Sequence, residues 1–120
     1  MVERSRKSTT TVGLERRKRN RRAFPRWLHN FDVVLRWQDQ FTSCRGYEIG
    51  EGGLSVVSEL ELPMEIEIDI EYRLDRSTAP VRVKGTVRYL EAGRYGIEFL
   101  NLGMKERLAL VEYCEKLKTV

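Results

Sequence analysis

At 120 residues with a net charge of +4, the chain fits one small domain that can bury a single core without covalent staples. Two cysteines, Cys44 and Cys114, allow at most one bridge and read as buried or half-buried thiols. The single histidine, His29, reads as a surface or loop residue, and it leaves a two-histidine metal site or a catalytic triad without partners.

The charge is uneven. Residues 1–30 carry ten Lys and Arg against Glu3 and Glu15, a local balance of +8, so the remaining residues carry −4. That split points to an anionic partner for the N-terminal part. Residues 1–20, polar and without apolar periodicity, are predicted to be a disordered basic arm. No apolar start resembles a signal peptide and no run reaches membrane-spanning length, so the expectation is a cytoplasmic protein without a membrane span.

From residue 31 the pattern changes to period two. "FDVVLRW" (31–37) and "FTSCRGYEI" (41–49) are predicted strands around a Gln38-Asp39-Gln40 turn. "GLSVVS" (53–58) is a third, introduced by Gly50, Gly52 and Gly53. After Pro63, Met64, Ile66, Ile68, Ile70 and Tyr72 alternate with Glu65, Glu67, Asp69 and Glu71, as in a strand with one buried side. "PVRVKGTVRYL" (80–90) sets Val81, Val83, Gly85, Val87 and Tyr89 on one face, with Arg82, Lys84 and Arg88 on the other. Paired antiparallel, the two strands match an acidic row with a basic one, each pair contributing about 0.2–1 kcal/mol.

"RYGIEFLNL" (94–102) is a sixth strand. "MKERLALVEYCEKLK" (104–118) is predicted helical, with Met104, Leu108, Leu110, Val111, Cys114 and Leu117 forming an apolar stripe. The fold class is therefore mainly β: a six-stranded antiparallel β-barrel with a C-terminal α-helix. Strands pairing with their sequence neighbours are expected to close it and remove exposed edges.

The glycine-containing stretches "EAGRYG" and "IGEGGL" lack the strand-then-helix setting of a phosphate loop, and the carboxylates alternate outward instead of meeting in a cleft. An enzyme is not expected. Two features carry chemistry. Arg21, Arg22 and Arg26, in "RRAFPRW", precede the first strand, and arginine's planar fork suits phosphate and the guanine edge while its flat face stacks on a purine. Glu48, Gly50 and Gly53 lie in the turn "YEIGEGGL". By charge alone, the arginines equally suit non-specific nucleic acid.

RR-x-x-PR before the first strand, a turn ending in "GGL", "RYGIEF" and a closing helix together resemble a PilZ domain over about residues 17–118. The resemblance implies a bacterial receptor for cyclic di-GMP, a non-enzymatic barrel without a cofactor, regulating a downstream protein partner. Residues 21–120 would form that domain. The family's R-x-x-x-R motif corresponds to Arg22 and Arg26, with Arg21 as the preceding arginine; Arg17-x-x-x-Arg21 also satisfies the bare pattern. Its D/N-x-S-x-x-G motif is met in part: Gly53 holds the last position, Glu48 the acidic one, and Gly50 stands where a serine belongs. The alternative implied by these departures is a PilZ domain that no longer binds cyclic di-GMP and acts as a protein-interaction adaptor.

Overall fold

A computed structural model describes residues 24–117. Arg21, Arg22 and the basic arm of residues 1–20 lie outside them. β1 (Arg26–Trp37) and β2 (Gln40–Gly50) form a hairpin, and β3 (Gly53–Val57) folds back on β2. β4 (Glu67–Arg73), β5 (Val81–Glu91) and β6 (Arg94–Phe99) make a second antiparallel meander. Pairing of β3 with β6 and of β1 with β4 closes the barrel in the order β1-β2-β3-β6-β5-β4. The helix α1 (Met104–Leu117) follows.

The six-stranded barrel and the helix agree with the sequence reading, but the pairing only of sequence neighbours does not. β3 and β4 are not adjacent; the chain crosses between them through residues 58–66 and sends Leu62 into the core. Period-two alternation fixes which face of a strand is buried, and it carries no information about which strand lies alongside. β4 is also shorter than its alternation suggested. Glu65 has a positive φ of 63°, which breaks the extended run and leaves Met64 and Ile66 exposed, so the ladder begins at Glu67. β1 begins earlier than residue 31, at Arg26, and β6 ends at Phe99, with Leu102 buried beyond it.

Inward side chains fill the barrel. Val33, Leu35, Ile49, Leu54, Val56, Ile70, Tyr72, Val87 and Ile97 are almost wholly buried, and Phe31, Tyr72 and Phe99 form a run of ring contacts. α1 adds Leu110 and Cys114 to this core. Its stripe is only half used, because Met104 and Leu108 are 69% and 63% exposed. Both thiols behave as buried or half-buried groups, and burial pushes Cys44 and Cys114 each up to about 11.

His29 is not the surface or loop residue expected. It lies within β1, half-buried, and donates from Nε2 to the Leu74 carbonyl at 2.8 Å. Its ring stacks on Phe31 and meets Tyr113 of α1 edge-on, so it ties the helix to the barrel. On the outer face of β4 and β5 the charge rows meet as expected. Arg82 pairs with Glu71 at 3.2 Å, Lys84 with Asp69 at 2.7 Å, and Arg88 with Glu65 at 2.7 Å.

Candidate ligand-binding site at the β2–β3 turn

Barrel register decides which of the singled-out residues share a surface. Ile49 points into the core, so its neighbours Glu48 and Gly50 face outward. On β1, Arg26 lies opposite Gly50 and Leu28 opposite Glu48. On β3, Leu54 and Val56 point inward, so Gly53 and Ser55 face outward beside them, with Ser55 opposite Glu48. The described motif residues Arg26, Glu48, Gly50 and Gly53 therefore come together on one outer face, at the end of β2 and the start of β3. Arg21 and Arg22 fall outside the described residues.

Their contacts are specific. Arg26 Nη1 donates to Glu48 Oε1 at 3.4 Å, and the two side chains are only 13% and 18% exposed. At this burial each charge needs a counter-charge, because removing one partner leaves the other poorly solvated. The guanidinium lies over Gly53: a Cβ there would come within 3.1 Å of Arg26 Nη2 and 2.2 Å of the Ile97 carbonyl oxygen. Only glycine leaves room for that arrangement. Gly50 serves a similar purpose for the backbone. A Cβ on it would lie 2.3 Å from the carbonyl oxygen of Pro25, so the segment entering β1 crosses directly over the end of β2. The missing hydroxyl at Gly50 thus accompanies a close backbone approach that a serine would obstruct.

Three further residues join this surface that the sequence reading did not single out. The Phe24 ring lies 3.5 Å from a Cβ position on Gly52. Arg107, in the first turns of α1, stands over Phe24 at 5.6 Å and reaches Glu51 at 3.9 Å. The segment before β1, the β2–β3 turn and the helix are therefore joined through one arginine. A faint signal existed in the sequence: Arg107 has no acidic residue three or four positions away on its helix, so a charge partner had to come from elsewhere.

A groove of about 550 Å³ lies elsewhere, on the outer face of β1, β4 and β5, lined by Val34, Arg36, Asp69, Glu71, Arg82 and Lys84 among others. None of the described motif residues lines it, and four of its charges already pair across β4 and β5, Arg82 with Glu71 and Lys84 with Asp69. The candidate site is instead the outer face around the β2–β3 turn, where Arg26 lies over Gly53. A guanidinium held there can offer its planar fork to an anionic ligand or its flat face to a base.

Comparison with known proteins agrees with the barrel fold. The PilZ domain family model matches residues 20–116. The Bacillus subtilis inhibitor of motility, MotI/DgrA, superposes with a TM-score of 0.70 at 21% identity, over 82% of this chain and 51% of that one. The PilZ domain of Escherichia coli YcgR, solved with c-di-GMP, gives 0.70 at 16% identity over 82% of this chain and 92% of its own. PlzA of Borreliella burgdorferi, solved in complex with c-di-GMP, gives 0.59 at 14% identity over 81% of this chain and 42% of its own. The chain thus spans about half the length of the motility inhibitor and less than half that of PlzA, and at these identities the likeness is one of fold. No curated protein sequence matches the chain.

Proposed function

Because this chain belongs to the PilZ domain family, we propose that it is a non-enzymatic receptor for cyclic di-GMP, with the ligand held at Arg21, Arg22, Arg26, Glu48, Gly50 and Gly53. The observation that carries the reading is the convergence of Arg26, Glu48 and Gly53 on one outer face, with the guanidinium over the glycine. Arg26 would offer its fork to a phosphate or to the guanine edge, and the arginines before it would complete the clamp. Glu48 would exchange its bond to Arg26 for the guanine N–H donors. Gly53, without a side chain, lets the Arg26 guanidinium lie flat against the barrel, where a base could stack on it.

The same geometry supports a route from ligand to partner. Arginines drawn onto the ligand would pull the segment before β1, and with it Phe24, away from Arg107. The first turns of α1 would then be uncovered beside Met104 and Leu108, an apolar surface suited to a protein partner. A cytoplasmic setting follows from the ligand, a second messenger made inside the cell.

One observation favours a second reading. Arg26 is already held by Glu48, and Pro25 already covers Gly50, which is how a domain that had lost the ligand and kept only its adaptor surface would look. Calorimetric titration with cyclic di-GMP in low salt separates the two. The receptor reading expects saturable heat from the native chain and at least tenfold weaker binding for Arg26→Ala, since a hydrogen bond to a charged group is worth about 1.5–3 kcal/mol. Absence of heat at tens of micromolar ligand would leave the adaptor reading standing.

A further inference from the structure

Ser55 is 3% exposed, and its hydroxyl makes no hydrogen bond to any described residue. Buried hydroxyls are normally paired, and one left without a partner destabilises the fold that contains it. Alanine would fill nearly the same space without that cost, so packing does not explain the serine. Its position offers an explanation. Ser55 lies opposite Glu48 on β2 and opposite Gly96 on β6, on the face that also carries Gly53.

What lies next to it is also informative. Tyr89, on β5, stands opposite Gly96, and its ring occupies the space above that glycine: a Cβ on Gly96 would meet the Tyr89 ring carbons at 2.1–2.6 Å. The ring therefore extends across β6 in the direction of β3 and Ser55. Gly53, Ser55 and Gly96 thus lie side by side between the Arg26 guanidinium and the Tyr89 ring, with Glu48 opposite Ser55.

We infer that Ser55 is a ligand-contacting residue of the site, its hydroxyl supplying the hydrogen bond that Gly50, in the serine position of the motif, is unable to make. The inference rests on the cyclic di-GMP reading and extends the site from the β2–β3 turn onto the middle of β3. A hydroxyl suits the ligand on either side, donating to a phosphate oxygen or accepting from a guanine N–H. Binding would shift the Tyr89 ring or stack on it, and would give the buried hydroxyl its partner.

Ser55→Ala is the test, with two readouts on the full chain: thermal unfolding of the free protein and calorimetric titration with cyclic di-GMP. The expected result is opposite movement of the two. The melting temperature of the free protein stays level or rises by a few degrees, because an unpaired polar group has been removed, while affinity falls by about tenfold. Equal affinity in a native chain that binds would overturn the role of Ser55 and leave the receptor reading intact. A melting temperature lowered by several degrees would make the hydroxyl a structural group and overturn the inference too. Absence of binding by the native chain would remove the receptor reading, and the role of Ser55 with it.

Discussion

Glu48→Ala deletes the carboxylate that Arg26 meets at 3.4 Å in a setting where neither side chain is more than 18% exposed. The variant is expected to lose about 1–3 kcal/mol of stability, since a charged hydrogen bond in poorly solvated surroundings is broken. The double variant Arg26→Ala/Glu48→Ala should recover part of that loss, and a coupling of at least about 0.5 kcal/mol in urea unfolding is the check. Additive effects would mean that the two groups do not support each other. At this scale the sequence was informative about Arg26, Glu48 and Gly53, whose spacing in the chain became proximity in the barrel. It was silent on Ser55, which reads as one polar residue in an apolar strand, because burial without a hydrogen-bond partner is a property of the folded neighbourhood. His29 was misread for a similar reason: its partner, the Leu74 carbonyl, is 45 residues away.

At the scale of elements, the segment before β1 and the β2–β3 turn are matched to each other. Gly50 allows Pro25 to cross it, and a Cβ at that position would approach the Pro25 carbonyl oxygen to 2.3 Å. Gly50→Ser, which would restore the family's motif, is therefore expected to lift the start of β1 away from β2. Hydrogen exchange should speed up by about tenfold or more at the Arg26–Leu28 amides and stay unchanged in β4 and β5. Unchanged protection at Arg26 would mean that the close approach at Gly50 does not hold the segment in place. Strand identity was the most legible part of the fold, since the alternation of β4 and β5 and the glycine turns are local signals. The crossing from β3 to β4 was not legible, because both meanders read alike whichever way they close. The positive φ of Glu65, which delays the start of the β4 ladder to Glu67, runs against an unbroken alternating sequence. The helix was visible at nearly its full length, but its stripe overstated its burial: Leu110 and Cys114 face the barrel, while Met104 and Leu108 do not.

At the scale of the molecule, a PilZ barrel has its described motif residues, Arg26, Glu48, Gly50 and Gly53, on one outer face, with a helix tied to that face through Arg107 and to β1 through His29 and Tyr113. Closure of the barrel makes the site a consequence of register, since β1, β2, β3 and β6 each contribute outward residues to it. In the proposed receptor, coupling to a partner would act through α1, the one described element outside the sheet. The most direct measurement is an NMR titration of the labelled chain with cyclic di-GMP, following backbone amides. The account predicts saturable shifts at Arg26, Glu48, Gly50, Gly53, Ser55 and Gly96, with a second set in the first turns of α1 around Arg107. Shifts confined to the β1–β4–β5 groove around Val34 and Lys84, or no shifts at all, would contradict it.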